Sequence, residues 1–499
     1  MTVDTESLGG GPLARAILEG RTPPGWVIPA PRGAGAWRER ASAVRARVRG
    51  AAWVQALEPA LAPTDRLRAA AAHGVVITTG QQPGLFGGPL YTLYKALTAL
   101  ELADAIEAAC GIPAAPVFWA ATDDGDLVEG SATWVARRGG LDSFRLTLSG
   151  PTLADAPLGE AVAGELTRYV AALGSAPHLA LIDALRASYT PTATAGGAYV
   201  SLLRGVLGPL GISVLDASHP AVRTAAAPIL RSALDRATQI AAALRGRAEA
   251  IESAGFAPQV ADVAKLSLVF SYEHGQKLRV PIGGAPTGAL SPNVLLRPIV
   301  ESVVLPTIGY VAGPGELAYF AQVTAVADAL GVAPPLGVPR WSGTVIERHI
   351  ATLLERRQVT LDDLRADPHG PETRYAWTAM PEPLRASIEA LRESVGRCMD
   401  AIQVSTDGLE VPPASVDGTR GSIAHRIDRL ERRVRAAVKR RDDAVMAEFA
   451  TLRAALYPLG ERQERVLNFV SMLTREGSAL IDEVRAKARV HGDALVHGG

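Results

Sequence analysis

Three stretches of this 499-residue chain set polar side chains just beyond apolar runs, and each has a definite chemical use. The first is Thr79-Gly80-Gln81-Gln82-Pro83-Gly84-Leu85-Phe86-Gly87-Gly88-Pro89-Leu90-Tyr91-Thr92-Leu93-Tyr94-Lys95. Glycines after a strand let backbone amides approach a ligand closely, and the helix start behind them favours an anion. Neither GxxxxGK[ST] nor GxGxxG is present, so this is no P-loop and no dinucleotide fingerprint. A tight strand-to-helix turn would explain the glycines. It does not explain Gln81 and Gln82, whose adjacent amides offer more hydrogen-bonding sites than a turn needs. A binding loop is therefore expected, using Gly80, Gln81, Gln82, Gly84, Gly88 and Tyr91, with Lys95 as its cation.

The second stretch is Trp119-Ala120-Ala121-Thr122-Asp123-Asp124-Gly125-Asp126. Carboxylates this close raise one another's pKa or require a cationic partner such as a substrate amine. A surface turn with helix-capping aspartates accounts for the same residues. The third pairs Ser291-Pro292-Asn293-Val294-Leu295-Leu296-Arg297-Pro298 with Gly313-Pro314-Gly315-Glu316-Leu317-Ala318-Tyr319. Arg297 suits a carboxylate and Glu316, at a helix start, an amine. An internal Arg–Glu pair fits equally well.

Composition narrows the setting. Lysine plus arginine and aspartate plus glutamate each total 51, so no global field recruits nucleic acid or an anionic membrane. No run approaches the roughly 20 apolar residues that span a bilayer. The start, Met1-Thr2-Val3-Asp4, lacks a basic signal-peptide region, and a cytoplasmic location is expected. Two distant cysteines, Cys110 and Cys398, make no disulfide framework, and nine histidines show no HxH or HExxH spacing. No metal is expected. Only five residues are lysine (Lys95, Lys265, Lys277, Lys439, Lys487), so Lys95 inside a motif is informative.

These residues need elements to position them. Val75–Thr79, Ala115–Trp119, Gly211–Leu215 and Ile308–Ala312 read as buried strands, and the spacing predicts that they are neighbours in a mainly parallel sheet. Helices are predicted near 89–109, with Leu93, Leu97, Leu100 and Ile106 as an apolar stripe, near 199–207, and at 317–330. Residues 260–282 read as a hairpin turning near Gly275. The rhythm is that of an open α/β sheet, whose ligands lie beyond the carboxyl ends of the strands. The three polar stretches should then converge on one cleft.

Charge density rises and glycine becomes scarce in the last quarter. Segments 382–402 and 422–456 read as two long helices joined near Pro412-Pro413, an antiparallel coiled-coil hairpin. Ile423, Ile427, Leu430, Val434, Val438, Val445, Phe449, Leu452 and Leu456 form the expected stripe of the second. The basic run from Arg432 to Arg441 is interleaved with acids and reads as a solvated face, with a polyphosphate contact open. The expected organisation is a helical segment over 1–70, a Rossmann-like core over 71–375 with insertions near 140–195 and 258–290, a helical coiled-coil domain over 376–460, and a helical return to the core over 461–499.

The stretches TTGQQPGLFGGPLYTLYKAL, PVFWAATDDGD, SPNVLLRP and PTIGYVAGPGELAYFAQ, with the weaker ERQERVLNFVSMLTREG, resemble the bacillithiol biosynthesis cysteine-adding enzyme family. They cover roughly residues 70 to 480 in the family's order. The resemblance implies a Rossmann-like core, a coiled-coil domain, a homodimer and ATP or ADP binding. It also implies the reaction, joining the carboxyl of cysteine to the amine of glucosaminyl-malate. One departure stands out: Gly125 occupies the place of a histidine in the family's acidic run, which puts substrate or activity in question.

Amide formation needs an activated carboxyl and a neutral amine. On that reading Asp123 or Asp126 holds the amine and accepts its proton, while Lys95 and Arg297 meet malate or phosphate oxygens. Trp119, Asp124, Asn293, Gly313, Gly315 and Tyr319 join the binding set. Lys95→Ala and Asp123→Asn are expected to remove activity without unfolding the chain. Two rivals remain at this point: another nucleotide-using acyl- or nucleotidyl-transferring enzyme for a different small amine, and a non-catalytic binding scaffold.

Overall fold

The computed structural model describes every residue except 49, 262, 407 and 499. By backbone packing the chain forms two compact units: Met1–Val135, Asp142–Ile346 and Gln463–Gly499 in one, Ala136–Leu141 and Glu347–Arg462 in the other. Residues 347–375, expected in the core, therefore group with the coiled-coil segments.

The first unit is built on a five-stranded sheet ordered Gly337–Pro339, Thr307–Ala312, Val75–Gln81, Ala114–Ala120, Ser213–Asp216, every adjacent pair parallel. The four predicted strands are neighbours in that sheet. The fifth, Gly337–Pro339, is three residues long and too short to announce itself as a run. Strands buried on both faces need apolar residues at successive positions, and Val75-Val76-Ile77 shows how they divide. Val75 and Ile77 pack with Ala99, Leu102 and Ile106 on one side, and Val76 packs with Tyr310, Leu317 and Val323 on the other.

The helix Leu90–Cys110 lies against the sheet and against the helix Ser478–His497. Its expected single stripe is replaced by burial nearly all round, which takes in Lys95 and Glu101 as well. Glu101 is tolerated there because Arg485 and Arg489 of the second helix hold its two oxygens at 2.6 and 3.0 Å. The predicted hairpin forms, Leu266–Glu273 with Gln276–Pro281, and gains an unforeseen third strand, Ala289–Pro292. The N-terminal segment is not purely helical, since Thr2–Thr5 pairs antiparallel with Gly343–Ile346.

In the second unit, Glu382–Ser405 and Pro413–Arg441 pair as an antiparallel hairpin. The direction is fixed by ion pairs that run in opposite order along the two helices, Arg392 to Asp428 and Glu431, and Asp400 to Arg420. Met380, Ile388 and Ile427 are buried in the seam, with Ile423, Val434 and Val438 packed against them. Leu430 instead is exposed. The single helix expected over 422–456 is broken: Asp442 leaves helical geometry (φ −129°, ψ 63°) and caps a new helix, Asp443–Leu456, by accepting from Val445 N. Tyr375 donates to the same carboxylate. Val445, Phe449, Leu452 and Leu456 thus pack through that separate helix and not along the hairpin. Among the basic residues here, Arg435 pairs with Glu431 and Lys439 with Glu372.

Candidate functional site

The loop after Val75–Gln81 is held from far along the chain. Phe86 sits in the left-handed region (φ 52°), a conformation that costs an apolar residue free energy and persists only under outside restraint. Asn468 supplies that restraint. Its Nδ2 donates to the carbonyls of Leu85 and Phe86 and to Thr133 Oγ1, while its Oδ1 accepts from Tyr169 OH at 2.7 Å. Phe469 N donates to Gly88 O, and Leu90 N to Leu467 O. Gly84 is required by closeness, because a Cβ there would lie 2.6 Å from Gly88 Cα. The stretch 463–477 is therefore a clamp on the glycine loop. Glu464 anchors the clamp through a buried two-pronged pair with Arg340, at 2.6 and 2.9 Å.

Beneath the loop lies a buried charge cluster. Lys95 Nζ donates to Gly80 O (2.7 Å) and Gln81 Oε1 (3.1 Å), and pairs with Glu316 Oε2 at 2.5 Å. An ammonium has three hydrogens, and all three are engaged. Glu316 also accepts from Gly313 N at 2.7 Å and from Tyr310 OH at 2.6 Å. Arg297 lies 3.6 Å from both Glu316 and Glu301 and donates to the hydroxyls of Tyr310 and Tyr319. Burial opposes ionisation of Glu316, but Lys95 and Arg297 outweigh it and hold the carboxyl below its usual range. Glu301, fully buried, goes the other way: desolvation pushes its pKa up to about 8 despite Arg297.

The acidic run divides. Asp123 is buried just beyond the strand Ala114–Ala120. Burial raises its pKa, Asp124 adds to the rise, and Lys277 and Arg297 oppose it. Lys277 reaches it from the antiparallel sheet and donates to its backbone carbonyl. Asp126 is exposed and caps the short helix Leu127–Gly130 by accepting from Glu129 N at 2.9 Å. Asp124 accepts from Asp126 N. Gly125 is exposed, and a Cβ there would meet only Pro151 O at 3.3 Å.

Gly80, Gln81, Lys95, Arg297, Gly313, Glu316 and Tyr319 are thus gathered in one cluster, with Asp123 electrostatically in reach of Arg297. Gln81, Gln82, Gly84 and Tyr91 line a cavity of about 60 Å³ with Glu129, Trp134 and Arg465. Gly88 packs on Gly84 at the back of the loop. Gly315 stands in open space. Two residues lie apart. Trp119 is part of the apolar core on one sheet face, and Asn293 lines a different cavity of about 330 Å³ with Leu244, Val260 and Gln322. The sequence reading missed Glu301, Tyr310, Lys277, Glu129 and Asn468. Tyr310 and Asn468 lie inside the quoted motifs but have residue types that do not stand out there, and the glutamate four residues after Arg297 looks like any exposed helical pair.

Phosphate binding can be tested at the two helix starts the sequence offers. At Pro314–Leu330 the backbone amide of Gly313 already faces the carboxylate of Glu316, so the anion place is taken by the chain itself. At Leu90–Cys110 the first amide donates to Leu467 O. Neither start forms a cradle for nucleotide phosphates. Among the described residues, no cluster of three or more histidine, cysteine or acidic side chains is placed to hold a metal ion. No helix among them is long and apolar enough to cross a membrane.

Comparison with known proteins agrees with this layout. The family description "Bacillithiol biosynthesis BshC, N-terminal Rossmann-like domain" matches residues 54–285 and 284–341, and "Bacillithiol biosynthesis BshC, C-terminal coiled-coil domain" matches 343–493. A protein of Solibacter usitatus named "Putative cysteine ligase BshC" is 30% identical over 440 residues, 81% of this chain and 80% of its own. Proteins of the same name from Koribacter versatilis and Bacillus licheniformis are 30% and 23% identical, covering 85% and 82% of this chain and 83% and 82% of their own. With both halves matched in order, the chain belongs to the BshC family of bacillithiol biosynthesis.

Proposed function

We propose that this protein is a ligase that joins the carboxyl of cysteine to the amine of glucosaminyl-malate, forming the amide of bacillithiol. The observation that carries the chemistry is Asp123, a buried carboxylate at the carboxyl edge of the parallel sheet, its pKa raised by burial. A base of that kind can hold an ammonium group and take its proton, which leaves the amine free to attack. Attack forms the C–N bond and expels the oxygen leaving group of an activated carboxyl. The thiol belongs to the substrate, which agrees with Cys110 being buried with its pKa raised by burial and not lowered for reactivity. Lys95, engaged on three sides, acts here by fixing Gln81 and Glu316. Family membership favours this reading over a different amine or a non-catalytic scaffold.

The protein is also proposed to be a cytoplasmic homodimer. The exposed Leu384, Leu391 and Ile402 of the hairpin support dimerisation, because a two-helix seam alone covers little apolar area. Sedimentation showing a monomer at micromolar concentration would refute it.

The ligase reading is tested by incubating the purified protein with cysteine and glucosaminyl-malate, with and without ATP, and weighing the product by mass spectrometry. An adduct of the two substrates is expected. Asp123→Asn should lower kcat by about 100-fold or more with the fold intact. Gly125→His should raise the rate, or leave it unchanged if substrate choice has shifted. Absence of adduct, together with an unchanged thiol profile in a deletion strain, would overturn the reading.

A further inference from the structure

One face of the three-stranded antiparallel sheet has an unusual set of open polar groups. Tyr272 is directly opposite Lys277, and Phe270 is directly opposite Ser291, so all four side chains share that face. Lys277 Nζ lies 4.8 Å from the Phe270 ring centre and 6.0 Å from that of Tyr272. Arg223, from the helix Pro220–Asp235, covers the Tyr272 ring at 4.6 Å. Two cations are thus fixed on one aromatic ring.

Their hydrogen-bonding capacity is largely unused. Arg223 Nε is buried with no partner, and the guanidinium makes no side-chain hydrogen bond among the described residues. Lys277 gives one hydrogen to Asp123 O and has no other assigned acceptor among them. Tyr272 OH and Ser291 Oγ lie side by side, and neither meets a third polar group among the described residues. Ser291 is 4% exposed. Buried polar atoms are nearly always satisfied in native proteins, so Arg223 Nε, Tyr272 OH and Ser291 Oγ around one ring mark a ligand's position. Asp123 and Asp155 are electrostatically in reach of this ring.

We infer that Arg223, Lys277, Tyr272 and Ser291 form a subsite for a small dicarboxylic hydroxy acid, the malyl part of the amine substrate. The inference rests on the ligase reading above and names the residues that recognise one substrate. Two fixed cations match two carboxylates that do not react, and two hydroxyls match the remaining oxygens. The carboxyl of cysteine is a poorer occupant, because it must leave its counter-charges to be activated. Asp123 then lies next to the subsite, where a substrate anionic at one end and cationic at the other presents its amine.

The test uses free L-malate as the probe in titration calorimetry, and KM for glucosaminyl-malate against KM for cysteine. Arg223→Gln and Lys277→Gln should each weaken malate by at least about tenfold and raise KM for the amine substrate similarly. KM for cysteine and the melting temperature should not move. Tyr272→Phe should weaken malate while leaving the fold unchanged. Wild-type protein that does not bind malate at millimolar concentration, or folded variants with unchanged malate affinity, would overturn the subsite. If malate binds and the variants lose it but no adduct forms, the subsite stands and the ligase reading fails. If adduct forms and KM is unchanged in the variants, the reverse holds.

Discussion

Two groups of charges lie near the carboxyl edge of the parallel sheet, and they differ in how far the protein has already satisfied them. In the group of Lys95, Glu316 and Arg297, all three lysine hydrogens are engaged, and Glu316 takes Gly313 N and Tyr310 OH besides. In the group of Arg223, Lys277, Tyr272 and Ser291, donors are held on aromatic rings with few acceptors. Both contain one lysine and one arginine, and sequence motifs drew attention only to the cations of the first. The difference teaches that a cation in a motif can be there to shape a loop, while the cations free to meet a ligand stand on elements with no motif at all.

The largest test of this contrast is Lys95→Ala. It leaves Glu316 buried without its nearest counter-charge and should destabilise the protein by about 3–5 kcal/mol, read by chemical denaturation. The expectation of lost activity with an intact fold is thereby revised. Lys277→Gln, by comparison, should cost less than about 1 kcal/mol in the same assay, and an equal loss at both positions would erase the contrast. Lys95→Met combined with Glu316→Gln should recover part of the loss.

Next in size is a pH effect from Glu301. Its folded pKa of about 8 lies above the ordinary 4.5, so the folded chain binds the extra proton between those values. Stability from this group is complete below pH 4.5 and is lost as pH rises through 8, at up to about 1.4 kcal/mol per unit. Glu316 acts oppositely: its lowered pKa adds stability above the ordinary value that is lost as pH falls. Glu301→Gln should flatten the dependence between pH 5 and 8, and a wild-type curve already flat there would remove the effect.

Asn468→Ala should cost about 1–3 kcal/mol, because it strands the hydroxyl of Tyr169 and two loop carbonyls in the interior. Faster hydrogen exchange at Leu85–Gly88 would show that the clamp acts on the loop. The smallest effect belongs to the hairpin. Arg392→Ala removes exposed pairs with Asp428 and Glu431 and should change stability by less than about 1 kcal/mol. A larger loss would mean that surface pairs in the second unit carry weight comparable to the buried ones of the first.

The sheet was legible in the sequence because strands buried on both faces must be apolar at successive positions, and such runs stand out in a chain otherwise broken by glycine and proline. The antiparallel hairpin was legible through its periodicity, but its end was not. Asp442 is one polar residue among many, and only Tyr375 and Val445 N, brought to it by folding, turn it into a helix break. The family, too, was readable, since short ordered motifs survive in one dimension.

Side-chain roles were decided by the tertiary structure alone. Asp123 and Asp126 are three residues apart and chemically identical, yet one is buried beyond a strand and the other caps an exposed turn. Trp119 lies near the end of its strand and is still buried in the core. Lys277 reaches Asp123 across 154 positions. Burial and the count of nearby donors and acceptors set what a polar group can do, and both depend on segments too far apart in the chain for any local pattern to record.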